Sequence, residues 1–143
     1  MSKIKIKFKI ATINRVTYED DIDQLTVPTE SGEITVLPKH APLVSILKPG
    51  ELRIKKDDHI FLLSVSTGFL EIRKNSEVYI LADSAERAEE IDLEASKSAK
   101  KRAEELLQQK QNRNDVDFAK LQAIINREVA RIKVAGKYKK TKN

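Results

Sequence analysis

An antiparallel β-sandwich followed by an antiparallel two-helix hairpin is the architecture this sequence predicts, on three observations. Ile4, Ile6, Phe8 and Ile10 alternate with Lys3, Lys5, Lys7 and Lys9, the period-two pattern of a strand with one buried face and one wet face. Short β-rich runs then follow one another, each closed by a turn signal. Near Asp83 the apolar period changes from two to three and four, and no Gly or Pro occurs from there to residue 110.

The elements follow in chain order. The lysines of the first strand discourage pairing with another chain, which predicts a strand at the edge of its sheet. Further strands are expected over 22–27, 33–37, 43–47, 51–55, 60–66, 69–73 and 77–81. Glu30-Ser31-Gly32, Pro38, Pro49-Gly50, Asp57-Asp58, Thr67-Gly68 and Asn75-Ser76 separate them. No crossover helix lies between them, so a parallel sheet is not expected. Asp83 and Glu86 have the spacing of a capping box, which places the sandwich in 1–84 and the helical region in 85–143. Ala88, Ile91, Ala95, Ala99, Ala103 and Leu106 make the first helix's apolar stripe. Asn114 or Asp115 caps the second helix. Its stripe is Phe118, Leu121, Ile125, Val129 and Ile132, and Gly136 and a lysine-rich end close it. A buried alanine methyl contributes about 0.8 kcal/mol against about 1.5–3 for a leucine side chain. The hairpin is therefore expected to adhere weakly to the sandwich, and two arrangements stay open from the residues: one that detaches and one that is statically packed on the sandwich.

Charge divides the chain at the same place. Residues 1–87 carry thirteen Lys/Arg and thirteen Asp/Glu, whereas 88–143 carry fourteen and nine, so the whole net charge of +5 belongs to the helical part. Disulfides are excluded because there is no cysteine. Two histidines without ligand spacing, His40 and His59, make no zinc site. No Ser-His-Asp, Cys-His or metal constellation points to catalysis. The basic tail would suit nucleic acid on charge alone. However, aromatics are 5% of the chain, there is no Trp, and Tyr138 is the single aromatic of the terminal cluster, so stacking support is poor. No apolar run is long enough to span a bilayer, and the lysine-interrupted start is not a secretory segment.

Three segments carry a family resemblance. Gly32-Glu33 through Pro38-Lys39-His40-Ala41-Pro42-Leu43, with Lys48-Pro49-Gly50 after it, resembles the G-E-x-x-x-x-P-x-H-A-P-L segment and K-P-G turn of ATP synthase epsilon subunits. Gly68-Phe69-Leu70-Glu71-Ile72 resembles that family's G-L-E-V strand, and 81–92 resembles its sandwich-to-helix junction. The resemblance implies a non-catalytic central-stalk subunit that joins a rotating gamma subunit to a membrane ring of c subunits. It implies no catalytic residue and no metal. It also implies peripheral attachment at the cytoplasmic face of a bacterial membrane, made indirectly through the complex, and no nucleic-acid partner.

Residue by residue, the resemblance puts Glu33 and His40 near the c ring. It implies an ATPase-inhibiting basic face at Arg127, Arg131, Lys133 and Lys137, which meets an acidic segment of the catalytic beta subunits. Bacterial relatives that bind ATP in the helices do so through an I/L-D-x-x-R-A motif and second-helix arginines. Here Ile91, Asp92, Arg127 and Arg131 match, and Glu86, which also has the cap role, is the candidate for a further nucleotide contact, but Ala95 stands at the motif's arginine and Ser96 at its alanine. Losing one guanidinium removes a bidentate phosphate clamp. ATP binding is therefore expected to be weak or absent, and no other cofactor is implied.

Overall fold

The computed structural model describes residues 3–109 and 115–142, without the side chains of 115, 116, 141 and 142. The strands are β1 (Ile6–Ala11), β2 (Val16–Ile22), β3 (Gln24–Thr29), β4 (Gly32–Val36), β5 (Leu43–Leu47), β6 (Gly50–Lys56), β7 (His59–Val65), β8 (Gly68–Arg73), β9 (Glu77–Ala82) and β10 (Ala85–Arg87). Two helices follow, α1 (Leu93–Gln109) and α2 (Asp115–Lys142). The ladder runs β10-β7-β6-β3-β5-β8-β9-β1-β2, with β4 paired to β3. It folds over at β3–β5, where Thr29 and Leu47 make the one pairing, so that two layers face each other. The free edges β2 and β10 are then tied by side chains. Thr17 Oγ1 donates to the Ala85 carbonyl at 3.3 Å, and Arg87 Nε donates to the Thr17 carbonyl at 3.0 Å.

The alternation positions the core from Ile6 onward, whereas Ile4 precedes β1 and is exposed. Ile6, Phe8 and Ile10 are fully buried and meet Leu25, Val27, Leu52, Ile54, Leu63, Leu70 and Ile80 between the layers. The β6–β7 turn fits its sequence as well. Asp57 and Asp58 both take positive φ, 50° and 66°, the conformation of a two-residue hairpin turn whose twist matches the strands.

Several expectations are corrected. β1 lies inside its layer, between β9 and β2. Its lysines stand on the outer face opposite acids of β2, with Lys7 across from Asp21 and Lys9 from Glu19. Such opposite-charge pairs contribute about 0.2–1 kcal/mol each. The pairing of β1 with β9 is parallel, in an otherwise antiparallel ladder. β2 is not among the strands the sequence predicts, apart from its last residue, Ile22.

The helix does not begin at Ala85. That residue is buried in the core and opens β10, opposite Val65 of β7. Asp83 instead fixes the preceding turn: its N–H donates to the Thr67 carbonyl and its carboxylate accepts from Thr67 Oγ1, each at 2.9 Å. α1 begins ten residues after Asp83 and is capped by Asp92, whose Oδ1 accepts the Ala95 N–H at 3.0 Å. This satisfies one of the orphan donors of the first turn.

The later start changes which residues face inward. Ser96 and Ala103 are buried on α1, whereas Ala95 and Leu106 are exposed. On α2 the buried positions are Leu121, Glu128, Ala130, Val134 and Ala135, while Phe118 and Val129 face water. α2 has two surfaces to cover, α1 along one side and the sheet along another, so a single five-residue stripe does not describe it. The expected cap falls on Asn114, which lies outside the described residues, or on the side chain of Asp115, which is likewise not described.

Candidate functional site: the seam between hairpin and sandwich

α2 crosses the outer face of β6 and β7. A small second core forms there from Ala88, Ile91, Val134 and Ala135, with Leu62, Leu93 and Tyr138 packed against it. Its buried members are mostly small, so apolar adhesion is modest. Charged groups supply the rest.

Glu51 and Arg53 point outward from β6, because Leu52 and Ile54 point inward. α2 covers the Glu51 side chain, leaving it 3% exposed, and Lys137 Nζ lies 2.7 Å from Glu51 Oε2. Arg53 bridges Glu51 at 3.2 Å and Glu33 at 3.1 Å. Burial works to raise the Glu51 pKa, but the contacts from Lys137 and Arg53 outweigh it and hold the carboxyl below its ordinary range. A depressed folded-state pKa stabilises the docked arrangement above the unfolded value near 4.5, and that contribution is lost as pH falls through the folded value. Hairpin docking is therefore expected to be insensitive to pH between neutrality and mild acidity, and to weaken below about pH 4.5. Proteolytic sensitivity of α2 measured against pH checks this. In Glu51→Gln the acid transition of α2 is expected to shrink.

Further along α2, Arg131 is held from two sides. Its Nη1 donates to Glu128 Oε1 at 2.6 Å and to Oε2 at 3.2 Å. Nη2 donates to Glu86 Oε2 at 3.2 Å, and Nε lies 3.0 Å from Glu86 Oε1 in an ion-pair contact whose alignment falls short of a hydrogen bond. Glu128 is fully buried and also takes Arg127 Nε and Nη2 at 3.4 Å. The structure thus brings Glu86, Arg127 and Arg131 together and adds Glu128, which sequence reasoning missed. Lys133 is exposed and lines a cleft with Gly32, Glu33, Lys48 and Gly50.

Glu33 and His40 are not brought together. Glu33 is the second residue of β4, opposite Pro28 and next to the β3–β4 turn. His40 follows the far end of the strand, beside Lys39, whose N–H donates to Ser76 Oγ. The His40 ring is spent locally, with Nδ1 2.7 Å from the Ala41 carbonyl.

The residues matching a nucleotide motif are engaged within the chain. Ile91 is buried in the second core, and the Asp92 carboxylate caps α1. Ala95 presents a methyl to solvent. A phosphate approaching Arg131 would have to displace Glu86 or Glu128. The cleft beside Arg127 carries the Asp83 carboxylate in its lining. Ser96 is fully buried, and its hydroxyl has no partner among the described residues. An unsatisfied buried hydroxyl costs about 1–3 kcal/mol. Ser96→Ala is therefore expected to stabilise the hairpin by about 1 kcal/mol, measured as slower amide exchange in α1 and α2.

Two family descriptions match the chain in succession. The family description "ATP synthase, Delta/Epsilon chain, beta-sandwich domain" matches residues 5–88, and "ATP synthase, Delta/Epsilon chain, long alpha-helix domain" matches 89–136. An ATP synthase epsilon chain of Desulforamulus reducens is 42% identical over 129 residues, covering 90% of this chain and 96% of the relative. One of Bacillus velezensis is 43% identical over 131 residues, covering 92% and 97%. The fold is shared with a chain in the cryo-EM structure of the Euglena gracilis mitochondrial ATP synthase OSCP/F1/c-ring assembly. There the TM-score is 0.74 at 21% identity, covering 87% of this chain and 77% of that one. A chain in the central stalk/c-ring structure of the Tetrahymena thermophila mitochondrial ATP synthase gives 0.65 at 13% identity, covering 94% and 99%. A sandwich carrying a docked helical hairpin is thus the class to which the protein belongs: the chain is a member of the ATP synthase epsilon chain family.

Proposed function

We propose that this chain is a non-catalytic central-stalk subunit of a rotary ATP synthase. In this reading the sandwich joins the rotor subunit gamma to the ring of c subunits, and the helical hairpin restrains ATP hydrolysis. The observation that carries the reading is the division of labour in the fold. One sandwich layer is covered by a charged, weakly adhering hairpin, and the other presents an apolar surface to solvent. Ile46 of β5, Phe69 of β8, Leu81 of β9 and Ala11 of β1 lie in one cross-strand row. Ile46 is 46% exposed, Phe69 60% and Leu81 54%, and Val44 beside them is 71% exposed. A contiguous exposed apolar face marks an interaction site more often than scattered residues do. Gamma is the partner assigned to it.

Phe69 is the large aromatic at the centre of that row, the position where interface energy concentrates. Phe69→Glu is expected to weaken binding to cognate gamma by at least about thirtyfold, equivalent to a hot-spot loss of about 2 kcal/mol. The folded state should be retained, because the side chain is on the surface. Titration of gamma with the variant checks this, and wild-type affinity would remove the face from consideration.

Inhibition is assigned to the basic side of α2. In the docked arrangement Arg131 and Lys137 are occupied by Glu86 and Glu51 of the sandwich. Detachment removes both sandwich carboxylates and leaves Arg127, Arg131, Lys133 and Lys137 along α2 for an acidic segment of the beta subunits. That encounter should weaken as salt rises. Glu33, at the β3–β4 turn, remains the candidate for c-ring contact, whereas His40 is assigned to organising its own loop. Among the described residues no helix is long and apolar enough to cross a membrane, so membrane association is assigned to the partner ring. ATP is not assigned as a ligand.

A further inference from the structure

After Asp117 the sequence holds eight lysines and arginines and one carboxylate, Glu128. That carboxylate is not on the surface among the lysines but fully buried. Withdrawing a charge from water is unfavourable unless it is paired and hydrogen-bonded. Glu128 meets both conditions through Arg131, at 2.6 and 3.2 Å, and Arg127, at 3.4 Å. Glu86 of the sandwich takes the other edge of Arg131 at 3.0 and 3.2 Å. Two guanidiniums therefore face two carboxylates, one from the helix itself and one from the sandwich.

We propose that Glu128 is a built-in counter-anion. It occupies the place that an oxyanion ligand would take between Arg127 and Arg131, and so holds Arg131 in position for Glu86 of the sandwich without bound nucleotide or other phosphate. The cluster is balanced as it stands, and an added polyanion finds no free guanidinium edge on Arg131. Removing the Glu128 charge leaves Arg131 with Glu86 alone and takes from Arg127 the carboxylate it now contacts. That excess positive charge, beside the space left by a shortened side chain, is a site for an oxyanion. The arrangement makes docking of the hairpin a property of the chain, set by its own residues.

The test uses the full-length chain and follows amide exchange in α2, with inorganic pyrophosphate or ATP added at millimolar concentration and constant ionic strength. Wild-type exchange is expected to be the same with and without either anion. Glu128→Gln keeps the shape and removes the charge. It should speed α2 exchange by roughly tenfold or more, the low end for breaking a buried ion pair, while leaving the sandwich amides unchanged. In Glu128→Ala, pyrophosphate or ATP should slow that exchange again in a saturable way. Three results would overturn the proposal: saturable protection of the wild type by either anion, wild-type exchange in Glu128→Gln, or no rescue of Glu128→Ala by either anion.

Discussion

Gly68→Ala is expected to lower the stability of the sandwich by about 3 kcal/mol, the upper part of the range for forcing extra atoms into a packed interior. A Cβ at this position would lie 2.2 Å from the Leu81 carbonyl oxygen and 2.7 Å from the Ala82 Cα. Both are backbone atoms of β9, and Gly68 is the residue paired with Ala82. Neither strand can retreat cheaply. β9 is held on its other side by the parallel pairing with β1, and the β9–β10 turn is tied to Thr67 by Asp83. Urea unfolding followed by circular dichroism is expected to show a lower midpoint with an unchanged slope. An unchanged midpoint would mean that the close approach of β8 and β9 is not a constraint.

Arg131→Ala is expected to release the hairpin. The substitution leaves Glu128 buried with only its longer contacts to Arg127, and takes from Glu86 its side-on partner. Stranding one member of a buried pair costs about 3–5 kcal/mol, more than a second core built largely from alanine and valine returns. The sandwich has its own core and does not depend on this contact. The expected pattern is therefore rapid proteolysis within α2 and an unaltered melting transition of the sandwich. Arg131→Lys should recover only part of the protection, because an ammonium cannot span the two carboxylates as the planar guanidinium does. Full protection in Arg131→Ala would show that the apolar contacts alone hold α2.

How far the sequence discloses this arrangement depends on how many surfaces each element covers. Alternation identifies β1 and most later strands because one face of each meets the single sandwich core. It does not identify neighbours, so the lysines of β1 resemble edge protection although the strand is internal and the lysines face acids on β2. It also does not reveal that the outer face of β6 lies beneath a helix. Glu51 therefore has the sequence signature of a solvent-facing residue and the environment of a buried one. The Asp83–Glu86 spacing fits a capping box. Pairing of 85–87 with β7 overrides it, and the same chemistry appears nine residues later at Asp92. Glu128 had a signal that was available, since it lies seven residues after Leu121 on the inward side of α2. A charged residue in an apolar register is discounted in a search for stripes, although its isolation among basic residues is visible in the sequence. Arg131 and Lys137 were legible as basic but not as engaged with the sandwich, because their carboxylate partners there are 45 and 86 residues away.

The central claim, that the sandwich docks and the hairpin restrains, is tested most directly by one titration. ATP hydrolysis by a cognate alpha-beta-gamma core is measured against increasing full-length chain and against a chain ending at Glu90, which retains β10. The account predicts that both bind the core and that only the full-length chain slows hydrolysis, less so at high salt. Equal inhibition by the shortened chain, or binding of the full-length chain with no inhibition at any salt concentration, would contradict it.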